Sequence, residues 1–170
     1  MYSSFALDAF NLLNGEANGS RARALAEFLV LYQVEIAFTP TNALGFVLVE
    51  DRRTIYLSQT LAQESWPAAE IAAVLAHETH HVIQGTIERQ QDRSPIYWLE
   101  DVEGPAYVVE TLVWDELRRD DQGAITITNQ HVDWDFRANS FINPDGTVDV
   151  AAHNAYISSD RGIPPNVQLW

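Results

Sequence analysis

Apolar residues recur with a helical period in the first part of the chain. Leu25 and Phe28 lie on one face of a helix that we predict over residues 21–32. Ser20 precedes this stretch and can act as its N-cap. A weaker pattern of the same kind predicts a shorter helix over residues 6–13.

The pattern then changes to short runs of β-branched and aromatic residues, which are typical of strands. We predict strands over residues 34–38, 46–49 and 54–57. The last two runs flank the polar stretch 50–53, which indicates a hairpin. We therefore expect a small, mainly antiparallel sheet of about three strands.

A strong helical pattern follows, in which Ile71, Leu75 and Val82 form one apolar stripe. Pro67, shortly after Ser65, marks the expected start of this helix, and Gly85 marks its expected end. The helix directly follows the predicted sheet, so the order of elements indicates an α+β protein.

A second helix is expected from Ser94-Pro95 to Arg118-Arg119, with a kink or interruption at Gly104-Pro105. The remaining pattern is weaker, with a short strand predicted over residues 124–128 and a turn at Asn143-Pro144-Asp145-Gly146. The final residues, around Gly162-Ile163-Pro164-Pro165, are expected to be extended. We expect one domain over residues 1–170, with a core at 20–118 and a C-terminal extension at 119–170.

The composition of the chain limits which metal ligands and which partners are plausible. Its 170 residues, 46% of them hydrophobic, suit one globular domain. The absence of cysteine leaves His, Asp and Glu as the side chains that can hold a metal. The net charge of −14 argues against nucleic acid and anionic membrane surfaces as partners. Without a basic N-terminal segment or a long apolar run, we expect a cytoplasmic protein with no membrane span.

The strong helix carries the sequence His77-Glu78-Thr79-His80-His81. Residues four apart share a helix face, so the imidazoles of His77 and His81 can reach one metal ion. Glu78 lies about 100° further round the helix, where it can act as a general base beside the metal. Chance alone would give this motif in about 0.01 chains of this composition. His80 is expected to point away from the metal.

A catalytic zinc needs a third protein ligand, which must come from elsewhere in the chain. The second helix offers Glu100, Glu103 and Glu110. Glu103 and Glu110 are two turns apart and share the inward face, whereas Glu100 lies further round. The spacing alone leaves Glu103 and Glu110 as rivals.

The stretch 77–85, taken with Glu103-Gly104-Pro105-Ala106-Tyr107, resembles the minimal gluzincin metallopeptidases over about residues 20–118. Gly104-Pro105 departs from the helical Glu-Ala context of that family. The resemblance implies a zincin-like fold, with a small sheet packed on the HExxH helix and a second ligand-bearing helix. It also implies Zn²⁺ as cofactor, with His77, His81 and Glu103 as ligands.

The activity that the resemblance implies is zinc-dependent hydrolysis of a peptide or protein substrate. Glu78 would be the general base that activates a zinc-bound water molecule for attack on the peptide bond. Such enzymes use a Tyr or His to stabilise the oxyanion. The candidates here are Tyr97, Tyr107, His131, His153 and Tyr156.

Two other functions fit the motif. The chain could be a zinc-binding interaction or regulatory domain with little or no hydrolysis, or a hydrolase of non-peptide substrates. The intact Glu78 favours an enzyme, because a binding module has no need of a base beside its metal. The C-terminal extension could cap the core, form a wall of the substrate cleft or cover the metal.

Overall fold

The structure is a computed structural model that describes residues 20–48, 51, 53–64, 66–90, 99–120 and 129–160. Six helices and three strands lie within these residues: α1 (Ser20–Leu31), β1 (Glu35–Thr39), β2 (Gly45–Val47), β3 (Thr54–Ser58), α2 (Gln59–Gln63), α3 (Ala68–Gln90), α4 (Leu99–Asp120), α5 (Asn129–Phe141) and α6 (Val150–Asp160). The α+β class expected from the sequence is confirmed. The predicted helix at 6–13, the strand at 124–128 and the extended C-terminus lie outside the described residues.

The sheet has the order β1-β3-β2, with β3 in the centre. β2 and β3 form the predicted antiparallel pair, in which Gly45 lies opposite Leu57. β1 pairs in parallel with β3, from Glu35 opposite Thr54 to Thr39 opposite Ser58. The sheet is therefore mixed, and the expectation of a mainly antiparallel sheet is wrong. Strand composition marks where strands lie, but the direction of β1 depends on its docking to the far edge of β3.

Helix α3 begins after Pro67, whose carbonyl accepts hydrogen bonds from the backbone N–H groups of Glu70 and Ile71, both at 3.1 Å. The helix continues through Gly85 to Gln90, so the expected end at Gly85 is wrong. Gly85 is buried, and the helix persists around it, with the Thr86 hydroxyl donating to the Val82 carbonyl at 2.8 Å. One internal glycine costs a helix only about 1 kcal/mol, which packing of this buried turn can offset.

Helix α4 is continuous through Pro105, so the expected interruption is wrong. Gly104 and Ala106, on either side of this proline, are buried. A Cβ atom on Gly104 would lie 2.9 Å from Asn154 Nδ2, so the glycine allows α6 to approach α4 closely. Packing of this turn stabilises helical geometry that the proline alone disfavours.

The described part of the C-terminal extension forms α5 and α6, which the sequence did not predict. Both helices pack against α4. The predicted turn between them is confirmed, since the Gly146 N–H donates to the Asn143 carbonyl at 2.9 Å and Gly146 has a φ of 80°. Trp134 of α5 lies in the same buried cluster as Leu75 of α3 and Trp114 of α4. Residues 129–160 thus cap the core on the side of α4.

Within the described part of the chain, no helix combines the length and apolar character required for a transmembrane span.

Candidate metal centre

Two histidine side chains of α3 converge as their spacing predicts. His77 Nε2 and His81 Nε2 lie 3.1 Å apart. His81 Nδ1 lies 3.2 Å from Gln84 Oε1, one turn further along the helix. In the tautomer with the proton on Nδ1, this nitrogen donates to the amide oxygen and the Nε2 lone pair of His81 is available for a metal.

The third member of the cluster comes from α4. Glu103 places Oε2 at 3.3 Å from His77 Nε2 and Oε1 at 3.4 Å from His81 Nε2. One ligand atom from each of His77, His81 and Glu103 lies within 4.8 Å of the other two. These three side chains could therefore hold a metal ion.

The spacing of these side chains is close to that of a zinc site. With zinc–ligand distances of 2.0–2.1 Å, the edge of a tetrahedron is about 3.3–3.4 Å. The two Nε2 atoms are 3.1 Å apart, and the Glu103 carboxylate places one oxygen 3.3 Å from His77 Nε2 and its other oxygen 3.4 Å from His81 Nε2. The Glu103 carboxylate thus spans the two imidazoles, and the three side chains lie close to the spacing that a zinc ion requires.

Glu78 is a buried carboxylate beside the cluster, and it is not one of the three clustered residues. Among the described residues, its Oε2 has no hydrogen-bond partner. Its side chain lies against β2, because a Cβ on Gly45 would meet Glu78 Cγ at 2.8 Å and Oε1 at 2.9 Å. Burial raises the pKa of Glu78, although the nearby charges of His77 and His81 oppose this shift. Such a carboxyl suits a group that takes up and releases a proton.

Glu110, the rival ligand, lies on the opposite side of the His77 ring. Its Oε2 is 3.6 Å from His77 Nδ1, which is an ion-pair distance but too long for a hydrogen bond. Two further contacts of this carboxylate come from α5: Trp134 Nε1 donates to Oε1 at 2.8 Å and Arg137 Nη1 donates to Oε2 at 3.1 Å. Glu110 is therefore placed to orient His77 from behind, and it lies outside the cluster.

The electrostatics of the site favour positive charge at its centre. Burial alone would lower the pKa of His77, but the facing carboxylates of Glu103 and Glu110 raise it to about 10. Burial likewise opposes, but does not prevent, a lowering of the pKa of Glu103 by His77 and His81. Burial and the charges of His81 and His77 lower the pKa of His80 to about 4. His80 is not part of the cluster, as expected.

The candidate oxyanion residues fall in different places. The Tyr107 ring contacts the His77 ring edge-on at 4.6 Å, so Tyr107 lies beside the cluster. His153 is fully buried and its Nε2 lies 3.0 Å from Thr111 Oγ1, an arrangement that gives it a structural role. The Tyr156 hydroxyl donates to Asp133 at 2.8 Å. Tyr97 and the His131 side chain lie outside what the structure describes.

Sequence reasoning missed Trp134, Arg137 and Gly45, which contact the site residues directly. A signal for Gly45 exists in principle, because a glycine in a short strand often marks a close backbone approach. No local pattern marks Arg137, since a lone arginine in a polar segment is usually solvated.

Comparison of the chain with protein-family models, with curated proteins and with solved structures yields no match. The fold and the site define an α+β protein with a candidate His-His-Glu metal centre. The resemblance to gluzincins rests on the residues that form this centre.

Proposed function

We propose that the chain is a zinc-dependent peptide hydrolase of the gluzincin type. One observation carries the proposal: the ligand atoms of His77, His81 and Glu103 lie within 4.8 Å of one another, beside Glu78, a further carboxylate whose Oε2 has no hydrogen-bond partner among the described residues. A carboxylate that served only stability would be expected to have its oxygens satisfied.

The donor set supports zinc as the metal. Two imidazoles and one carboxylate are a known ligand set of catalytic zinc sites, which keep the fourth position open for water or substrate. A zinc ion held by His77, His81 and Glu103 would supply Lewis acidity, which polarises a carbonyl and lowers the pKa of water.

Glu78 supplies the proton chemistry in this proposal. Its carboxylate accepts the proton of the attacking water and then donates it to the leaving amine. The burial that raises its pKa makes this return of the proton easier. Tyr107, beside His77, is the described candidate for a group that stabilises the oxyanion.

A peptide substrate fits the surroundings of Glu78. β2 lies at one edge of the sheet, and its residue Gly45 packs directly on the Glu78 carboxylate. An extended peptide can add to such an edge through main-chain hydrogen bonds. A peptide bound there would run past the base, which favours a peptide over a small non-peptide substrate.

The test pairs metal content with cleavage of a broad peptide library by wild type and by Glu78→Gln. We expect one zinc per chain in both proteins, with cleavage lost in Glu78→Gln. Glu116→Gln is the matched control, because Glu116 bonds to Arg21 and to the backbone of Ala22 instead of to the site. It should retain both zinc and cleavage.

The other outcomes separate the alternatives. A wild type that binds zinc but cleaves no peptide would contradict the proposal and favour a zinc-binding regulatory domain. Cleavage that survives in Glu78→Gln would remove Glu78 as the base. A wild type that binds no divalent metal would contradict both the metal site and the proposed hydrolysis.

A further inference from the structure

Arg137 of α5 is a fully buried cation. Its Nη1 donates to Glu110 Oε2 and to Thr111 Oγ1, each at 3.1 Å, and its Nε lies 3.0 Å from Asp133 Oδ2. A buried charge is strongly unfavourable unless it is paired. Asp133 belongs to α5 itself, so the pairing with Glu110 is the carboxylate contact through which Arg137 fastens α5 to α4.

Trp134, one turn before Arg137, donates a hydrogen bond to the other oxygen of Glu110. It is fully buried and donates from Nε1 to Glu110 Oε1 at 2.8 Å. Each oxygen of Glu110 thus has a donor from α5. With both oxygens fixed, the carboxylate has one orientation, in which Oε2 faces His77 Nδ1.

We infer that Trp134 and Arg137 are positioning residues for the metal centre, which they reach through Glu110 and the His77 ring. Partners that orient a metal-bound histidine keep its other nitrogen aimed at the metal, and their loss typically weakens metal binding by 10- to 100-fold. The C-terminal extension is then part of the site. This inference rests on the metal-binding half of the proposed function and is independent of peptide hydrolysis.

A purely structural role for these contacts would be to fasten α5 to α4. Trp114 provides a close comparison, because it is also fully buried and donates from Nε1 to Asp135 Oδ1 at 2.9 Å. Its ring lies 5.2 Å from that of Trp134. The two tryptophans share burial, location and a carboxylate partner, but only Trp134 donates to the carboxylate behind His77.

The test compares Trp134→Phe with Trp114→Phe in the full chain. Zinc affinity is measured by competition with a chromogenic chelator, and folding is checked by circular dichroism. We expect Trp134→Phe to bind zinc about 10-fold more weakly than wild type, whereas Trp114→Phe stays within about 3-fold. Equal zinc affinities for the two variants would overturn the inference.

A double variant separates positioning from general destabilisation. In a Glu110→Gln background, Trp134→Phe should weaken zinc binding by clearly less than it does in wild type, because both changes act through one carboxylate. The same factor in both backgrounds would overturn the inference. If Trp134→Phe does not fold, Arg137→Lys replaces it in both comparisons, with the same two expectations.

The zinc affinity of the wild type distinguishes failure of the proposed function from failure of the positioning role alone. If wild type binds no zinc, the proposed function and this inference both fail. If wild type binds zinc and Trp134→Phe binds it as tightly, only this inference fails.

Discussion

Glu103 and Glu110 lie two turns apart on one face of α4, and both carboxylates face His77. Glu103 meets Nε2, has a side chain that is 26% exposed, and shares its oxygens with His81. Glu110 meets Nδ1, is only 5% exposed, and has its oxygens held by Trp134 and Arg137. The same residue type on the same helix thus has two different environments.

The difference indicates how a ligand is distinguished from a group that orients a ligand. A ligand carboxylate needs its oxygens directed to the metal and free of competing donors. An orienting carboxylate needs its own partners, because only a carboxylate that is itself held in place can favour one orientation of the ring that it faces. On this basis we propose that Glu103 is a ligand and that Glu110 orients His77, and variants of the two should behave differently.

The largest effect is expected for Glu103→Ala. Removing a ligand should weaken zinc binding by more than the 10- to 100-fold typical of an orienting residue, so we expect a loss above about 100-fold. Chelator competition measures the affinity. A zinc affinity equal to that of wild type would show that Glu103 is not a ligand.

The next effect is expected for Glu110→Gln, which should act on both stability and metal binding. It removes one of the two carboxylates paired with the buried charge of Arg137, and Asp133 remains 3.0 Å from Nε, so we expect a loss of about 1–3 kcal/mol of unfolding free energy. Zinc affinity should fall by about 10- to 100-fold, which is less than for Glu103→Ala. Denaturant unfolding of the metal-free protein and chelator competition measure the two effects. A reversed order of zinc affinities would exchange the two roles.

Gly45→Ala should affect the proposed base, Glu78, without affecting zinc binding by the carboxylates of α4. The new Cβ would lie 2.8 Å from Glu78 Cγ, so the Glu78 side chain must shift. Displacement of a reacting group by about 1 Å can lower a rate by about 100-fold, and we expect kcat to fall by about 10- to 100-fold. Zinc affinity, measured in the same preparation, should be unchanged. An unchanged kcat would contradict the assignment of Glu78 as the base.

The smallest effect is expected on the pH dependence of stability, through His153 of α6. Burial, followed by the charge of Arg137, lowers the pKa of His153 in the folded protein. The unfolded chain takes up a proton below the ordinary histidine pKa of about 6.5, whereas the folded chain resists it. The contribution of neutral His153 to stability is therefore full above this pH and decreases as the pH falls.

We accordingly expect the metal-free wild type to lose more unfolding free energy than His153→Gln between about pH 8 and pH 5.5, a range that spans this pKa. Denaturant titrations of both proteins at each pH measure the difference. Equal losses in the two proteins would show that His153 is not held neutral. The zinc affinity of His153→Gln at about pH 8, where histidine is normally neutral, should remain near that of wild type.

The parts of the site that could be predicted are those that local geometry determines. The pairing of His77 with His81 follows from the four-residue spacing on one helix, and the structure brings the two rings together. Glu103 and Glu110 could not be distinguished in this way, because a seven-residue separation places both on one face. Their different environments arise from α5, which is distant in sequence.

The missed elements have a related cause. The inner face of α5 carries Arg137 and Asp133 as an ion pair beside the apolar Trp134 and Ala138. Because charged and apolar residues share this face, α5 lacks the periodic pattern of apolar residues that identified α1 and α3. The direction of β1 was missed for a similar reason, since pairing with a strand across the sheet leaves no mark in the local pattern.

The central claim is that His77, His81 and Glu103 hold the metal while Glu110 orients His77 from behind. Anomalous scattering at the zinc edge from crystals of the zinc-loaded chain tests it most directly. We expect one peak at about 2.0–2.2 Å from His77 Nε2, His81 Nε2 and a Glu103 oxygen, with Glu110 at His77 Nδ1. A peak coordinated by Glu110 in place of Glu103, or no peak at these histidines, would contradict the account.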